Sequence, residues 1–458
     1  MILAPVHASI AFAAGRLDAK YHCSPGVLAS ERILLLDADG TNLRPVAGKG
    51  GVGSVGPTSR TKRVYAADGE ESLPYLRPYD VFDYLPLAAD QLSTSGSDSL
   101  ERLVPETGTL LQTCSGRNLG PLAYADSYLS HFVVSDDMLR IRVENETDRF
   151  YLLAYLSTPT GQALLTRSKT GNVIDHLSAD DLAGVMVPFF DSAFTKSISD
   201  EARTAVKKRE LARTRLASVI EKFSSQLPAL PSNRALREGW TASARSLGSR
   251  LDAAYHAPDV SEIRNKLRGS GGVVLGDVAT PQMPNRYKRI YVEPGNGLPI
   301  LSGRQLLQMR PVNLQYLAPT AVDVDEFTLG AGTTVFGARG RAEERVALPA
   351  LITNDRAQWL ASHNVMRVRP NEGVNPGWLY LCLATEHVQA QVKASAFGSV
   401  VDVVDPDNLR RVVLPPEDNE SGDIVTECWA EFESASSLEA AAIARLENEI
   451  LRRTGTRD

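Results

Sequence analysis

The sequence predicts a mixed α+β chain made of two tandem domains, each followed by a long charged helix. Three observations carry that expectation. Residues 138–188 laid over 365–415 at a constant shift of 227 give fifteen identities in fifty-one positions without a gap. Each copy holds a run with period-two alternation, then a helical run, then a second short apolar run. Each copy is then followed by a stretch poor in glycine and proline, with apolar positions at helical spacing. A repeat this long is a whole domain, not the unit of a solenoid.

The elements follow in chain order. Arg16-Leu-Asp-Ala-Lys-Tyr-His22 opens the first copy and returns as Arg250-Leu-Asp-Ala-Ala-Tyr-His256. Arg60-Thr-Lys-Arg-Val-Tyr65 returns as Arg286-Tyr-Lys-Arg-Ile-Tyr291, and Leu73-Pro-Tyr-Leu76 as Leu298-Pro-Ile-Leu301. Met138-Leu-Arg-Ile-Arg-Val143 and Val365-Met-Arg-Val-Arg369 alternate with arginines on every second position, which reads as a half-exposed strand. Phe150–Leu156 and Trp378–Leu383 read as helices. Val185–Pro188 and Val412–Pro415 read as strands that proline terminates. A helix is expected from about Ser199 to Gln226 and another from about Gly422 to Arg453. Leu216, Val219, Ile220 and Phe223 form the apolar stripe of one, and Leu438, Ile443, Leu446 and Ile450 that of the other. Lys196–Lys222 holds eight basic and four acidic residues, Glu420–Arg453 three and eight. Opposite charge and matching stripes suit an antiparallel coiled-coil pair, two independent surface helices being the plainer alternative. The expected bounds are 1–195 for the first domain, 196–231 for the first spacer helix, 232–418 for the second domain and 419–458 for the second helix.

Composition narrows the function. The 458 residues carry a net charge of −6, which argues mildly against a free-standing nucleic-acid binder unless positive charge is local or partners supply the rest. No stretch approaches the roughly 20 apolar residues of a membrane span. The apolar Ile10-Ala-Phe-Ala-Ala14 has no basic region before it and reads as fold, not as a signal peptide. Cys23, Cys114, Cys382 and Cys428 are scattered, which suggests neither a zinc site nor a disulfide framework. A reduced, cytoplasmic setting is expected.

The repeated basic segments are the strongest chemical candidates. Arg60, Lys62, Arg63 and Tyr65, and Arg286, Lys288, Arg289 and Tyr291, cluster cations beside a ring, as contact with DNA phosphate and sugar requires; a solvated charged strand is the alternative. A second pair, Gly108–Asn118 and Gly332–Arg341, runs from a strand into a turn that presents Arg117 and Asn118, or Arg339 and Arg341. Arginine suits a guanine edge and asparagine an adenine edge, although a plain surface turn has the same composition. Gly48-Lys-Gly-Gly-Val-Gly-Ser54 lacks the Gly-Lys-[Ser/Thr] ending of a phosphate loop and reads as a flexible loop. His22, His256, Asp175 and Asp402 are repeated but read as structural. No metal-ligand cluster, nucleophile elbow or methyltransferase signature is found, so the chain is expected to be non-catalytic.

These residues resemble the specificity subunits of type I restriction–modification enzymes over nearly the whole chain. The resemblance rests on the Leu-Pro-[Tyr/Ile]-Leu strand, the Gly-Arg turn, the Gly-x-Val-x-Asp segments at 171–175 and 398–402, and the order domain, helix, domain, helix. It implies two target-recognition domains set apart by the helical pair, each reading half of a bipartite, asymmetric site in double-stranded DNA. It also implies methyltransferase (M) subunits, two in number, docked on the helices, and an optional restriction/translocase (R) subunit. No cofactor is expected on this chain; S-adenosylmethionine belongs to the methyltransferase partner. A protein-interaction scaffold of a related defence system, or an enzyme with an unrecognised nuclease or transferase site, are the alternatives.

Overall fold

The computed structural model describes residues 22, 24–56, 60–115, 119–167, 176–231, 240–244, 247, 250–319, 324–340, 347–398 and 401–455. Two compact units divide the chain: residues 1–210 with 434–458, and residues 211–433. Both boundaries fall inside the long helices. Each unit therefore takes a half of each helix, where the sequence reading had set the helices apart as spacers.

The first unit contains β1 (Asn42–Pro45), β2 (Ser54–Gly56), β3 (Ser72–Leu76), β4 (Asp90–Ser93), β5 (Leu110–Thr113), β6 (Leu122–Tyr124), β7 (Val133–Val134), β8 (Met138–Arg142) and β9 (Met186–Phe189). They form sheets in the orders β2-β8-β5-β6, β4-β3-β7 and β1-β9. The second unit contains β10 (Val273–Val274), β11 (Ala279–Gln282), β12 (Tyr291–Val292), β13 (Leu298–Leu301), β14 (Gln315–Leu317), β15 (Thr334–Gly337), β16 (Arg339–Gly340), β17 (Ala350–Leu351), β18 (Leu360–Ala361), β19 (Val365–Pro370), β20 (Asp402–Val403) and β21 (Val413–Leu414). Its sheets run β11-β19-β15-β17, β12-β14-β13-β18, β10-β21 and β16-β20. The first and third match β2-β8-β5-β6 and β1-β9 strand for strand, and the second matches β4-β3-β7 with β12 added, where the first unit has only the Tyr65–Leu92 bridge. Register matches too: Leu111 lies opposite Arg140 and Val335 opposite Arg367. Tyr75–Leu76 pair in parallel with Val133–Val134, as Ile300–Leu301 do with Leu360–Ala361.

The longer helices are α1 (Pro25–Ala38), α2 (Glu146–Ser157), α3 (Pro159–Arg167), α4 (Ser192–Ser225), α5 (Pro258–Gly269), α6 (Pro376–Ala384), α7 (Glu386–Ser395) and α8 (Asn419–Thr454). Threonine closes the first helix of each α2–α3 and α6–α7 pair: Thr158 Oγ1 donates to Tyr155 O and Thr385 Oγ1 to Cys382 O, both at 2.8 Å. Gln162 then donates to Leu156 O at 2.5 Å and Gly120 O at 2.8 Å. Gln389 repeats the tie, to Leu383 O at 2.6 Å and Ala347 O at 2.7 Å. Two of the fifteen residues that survive in both copies thus satisfy buried carbonyls, which would otherwise cost about 1–3 kcal/mol each.

Three expectations need correction. The arginine-bearing strands are not half-exposed: Arg140 and Arg367 are 8% and 3% exposed, and only Arg142 and Arg369 reach solvent. Arg140 donates to Met138 O, Leu103 O and Val134 O at 3.1–3.3 Å, and Arg367 to Val365 O, Phe327 O and Ala361 O at 3.0–3.1 Å. A guanidinium with five donors can be buried when carbonyls converge on it, and alternation alone does not reveal that. Pro188 does not stop its strand but lies inside β9 opposite Leu43, its carbonyl taking the Tyr151 hydroxyl at 2.6 Å. A two-stranded sheet has an open edge that tolerates the missing donor. The Gly48–Ser54 segment is an ordered turn: Gly48 and Gly50 adopt φ of +104° and +72°, and Arg44 donates to Gly51 O at 3.0 Å.

Within the first unit, Ile198, Ala202 and Val206 of α4 share a core cluster with Ala442, Leu446 and Ile450 of α8. Arg209 pairs with Glu439 at 2.6 Å, and Arg445 pairs with Glu201. Residue numbers rise on one helix as they fall on the other, so the segments are antiparallel. Within the second unit, Arg215 pairs with Glu427 at 2.8 Å. There Leu216, Val219 and Phe223 are buried on α4, and Val425, Cys428, Trp429 and Phe432 on α8. Ile220, Leu438 and Ile443 are only half-buried. The α8 stripe passes through the small Ala435 and Ala442, which hydrophobicity alone underweights, and Leu438 and Ile443 flank it. No helix among the described residues is long and apolar enough to cross a membrane.

Candidate nucleic-acid interface

In the first unit, residues 60–65 lie extended along β4. Ser93 N donates to Val64 O at 2.8 Å, Ala66 N to Gln91 O at 2.9 Å and Asp98 N to Lys62 O at 3.2 Å. With its backbone held this way, the segment turns Arg60 and Lys62 to solvent and leaves Tyr65 58% exposed. Arg63 folds back instead: its Nη1 donates to Tyr75 Oη at 2.6 Å and stands 3.5 Å from Asp136. Burial opposes its charge, and Tyr75 and Asp136 outweigh burial, so the guanidinium is held above its ordinary value. Asp136 also accepts from Thr61 N at 3.0 Å. Free cation is thus offered by Arg60 and Lys62, while Arg63 is part of the framework.

The second unit repeats the frame with different chemistry. Ala318 N donates to Ile290 O at 3.0 Å, and Tyr291 enters β12 with its ring 49% exposed. Arg286 and Lys288 are exposed. Tyr287 packs its ring 4.0 Å from that of Phe327 and donates to Ala361 O at 3.3 Å. Arg289 Nη2 donates to Ser362 Oγ and to His363 Nδ1, both at 3.0 Å. Burial first, then Arg289, Arg339 and Arg286, hold the His363 imidazole below its ordinary value.

The turns of the second motif lie beside these segments. In the β15–β19 ladder, Gly337 pairs with Val365 and Ala338 N donates to Asn364 O at 2.9 Å, which brings Arg339 next to His363. Arg339 is exposed and its backbone pairs with Val403. The same register in the first unit, Thr113 opposite Met138 and Cys114 N to Asp137 O at 3.2 Å, brings Ser115 next to Asp136. Arg117, Asn118 and Arg341 lie outside the described residues, as do Gly171, Val173 and Asp175. Arg289 contacts His363, the ladder sets Arg339 beside it, and Arg286 is near enough to act on its charge; the sequence reading passed over this histidine. The shift of 227 would have found it: carried two residues before Met138, it lays Asp136 on His363.

The repeated histidine motif is structural where it is described. His256 Nε2 lies 2.8 Å from Arg250 O, and Arg250 grips Asp252 through two bonds of 2.6 and 2.8 Å and donates to Ser395 O at 2.7 Å. His22 is buried. Ser115 Oγ lies 3.2 Å from His176 Nδ1, with no third group orienting the ring among the described residues.

No family model matches this sequence, and no curated protein matches it. Among solved structures, the chain is similar to the HsdS subunit from Thermoanaerobacter tengcongensis, at 17% identity over 87% of this chain and 94% of that one, with a TM-score of 0.26. It is similar to a chain from a structure addressing complex assembly and conformational transition of the type I R-M system, at 17% identity over 88% and 98%, with a TM-score of 0.27. A third is the type I restriction-modification system S subunit from M. genitalium, at 14% identity over 91% and 99%, with a TM-score of 0.24. TM-scores of this size carry no argument, so the functional reading stands on the chain's own residues.

Proposed function

We propose that this chain is the DNA-recognition subunit of a type I restriction–modification complex or a related anti-phage system. Its two domains each read one half of a bipartite, asymmetric double-stranded site. The long helices, paired as an antiparallel coiled coil, dock two methyltransferase subunits that bring S-adenosylmethionine, and a restriction/translocase subunit joins where the system has one. The chain itself performs no chemistry and works in the cytoplasm. One observation carries the reading: a basic, aromatic-bearing segment is held on the same strand frame in both units, while the side chains around it differ. Two frames alike inside and unlike outside suit two different half-sites, because phosphate contacts position a protein and base contacts specify the sequence.

The test is purification of the full chain from its host with whatever methyltransferase accompanies it, followed by genome-wide mapping of methylated bases. A split, non-palindromic motif that disappears when this chain is deleted is the expected result. Methylation that persists without the chain, or a complex with no DNA affinity, would overturn the reading in favour of a scaffold. Methylation or cleavage by the chain shown free of partners would overturn the non-catalytic assignment.

A further inference from the structure

We propose that Arg286, Arg289, Arg339 and His363 of the second unit form a binding cluster for one backbone phosphate, and that His363 takes up a proton when the phosphate enters. The proposal rests on the DNA-recognition reading and adds to it a site and a proton. Arginine only donates, so the 3.0 Å contact from Arg289 makes His363 Nδ1 an acceptor and leaves the proton of the neutral ring on Nε2. Arg289 contacts the ring at Nδ1, the Tyr287 ring stands 6.3 Å away at 86°, the β15–β19 register sets Arg339 beside it, and Arg286 of the basic segment is near enough to act on its charge. Ser362 and Asn364 flank it and are uncharged. None of these groups carries negative charge. Burial first, and then the neighbouring guanidinium groups, favour the neutral imidazole; a phosphate held by those groups reverses the sign of the local field and favours the imidazolium.

The first unit shows what one substitution does to this arrangement. At the equivalent positions stand Arg60, Arg63, Ser115 and Asp136. The arginine that faces His363 in one unit faces a carboxylate in the other, at 3.5 Å. Asp136 satisfies Arg63 internally, and Ser115 contributes no charge where Arg339 does. The two units share a frame but differ in how much phosphate charge they can absorb, and position 136/363 sets the difference.

Affinity of the full-length chain for a random-sequence duplex, measured at fixed ionic strength between about pH 5.5 and 8, tests this around the ordinary imidazole value of about 6.5. A proton bound with the phosphate makes affinity rise as pH falls, by up to about tenfold per pH unit between the bound-state and free-state values, and level off below the free-state one. His363→Asn keeps a side-chain donor but cannot titrate, so it should flatten the acid limb. His363→Asp installs the first unit's chemistry and should lower the log–log salt slope by about 0.9. Asp136→His should raise it. An acid limb unchanged in His363→Asn, in protein whose tryptophan fluorescence matches the parent, overturns the proposal. If the parent chain binds no DNA at any pH, the DNA reading fails first. The cluster is then tested by titrating inorganic phosphate against the His363 ring resonance: a rising pKa supports the site, and an unmoved one ends it.

Discussion

Replacing Arg367 by methionine removes a buried cation and leaves its carbonyl acceptors behind. Arg367 is 3% exposed, and burial brings its pKa down to about 10, so it is charged at neutral pH. Its three acceptors are Val365 O, Phe327 O and Ala361 O, at 3.0, 3.1 and 3.1 Å. After the substitution Ala361 O keeps the Tyr287 hydroxyl at 3.3 Å, whereas Val365 O and Phe327 O lose the guanidinium. Two stranded acceptors at about 1–3 kcal/mol each give a cost of about 2–6 kcal/mol. Removing the cation also removes its desolvation penalty, which places the expected loss near 3 kcal/mol. Urea denaturation followed by tryptophan fluorescence measures it, because Trp240, Trp359, Trp378 and Trp429 all belong to the second unit. With a slope of about 1–3 kcal/mol per molar urea, the midpoint should fall by on the order of 1–3 M. Arg367→Lys should recover less than half, since a single ammonium cannot fork across three carbonyls. A midpoint unchanged by Arg367→Met would refute the reasoning, because the carbonyls would then need no donor.

Arg60→Ala and Lys62→Ala should each reduce the salt slope of DNA binding by about 0.9, whereas Arg63→Ala should lower the melting temperature of the first unit with little change in slope. Glu447→Ala removes a buried carboxylate that takes Thr160 N at 3.0 Å and Thr160 Oγ1 at 2.7 Å and lies 3.5 Å from Arg32; loss of the two charge-assisted bonds at about 1.5–3 kcal/mol each should cost about 3–6 kcal/mol by denaturation. Arg452, and then Arg453, bring the Glu449 carboxyl down to about 2. The stability it contributes is complete above its unfolded value of about 4.3 and is lost as pH falls toward about 2. The melting temperature of Glu449→Gln should therefore fall below the parent's at neutral pH, and the gap should close on the acid side.

The frame was legible in the sequence because the residues that hold it are the residues that repeat. Thr158 and Thr385, Gln162 and Gln389, Arg140 and Arg367 survive at one shift because each answers a buried carbonyl in the same place. The long helices were legible from their period, but not their starts: Ser192 lies about two turns before the expected Ser199, and Asn419 about one turn before the expected Gly422. The burial of Arg140 was hidden because a charged residue in an alternating strand is ordinarily the exposed one. His363 was hidden for a different reason. Asp136 and His363 share position but not chemistry, and a comparison that rewards identity ends just before them.

A carbonyl belongs to no particular residue. When an arginine, threonine or glutamine fastens a frame through main-chain oxygen, the side chain at the far end of the bond is free to drift without breaking it. Leu103 answers Arg140 in one unit and Phe327 answers Arg367 in the other, and the geometry is the same. A few fixed donors and an anonymous set of acceptors let the outward surface be rewritten many times over one unchanging skeleton.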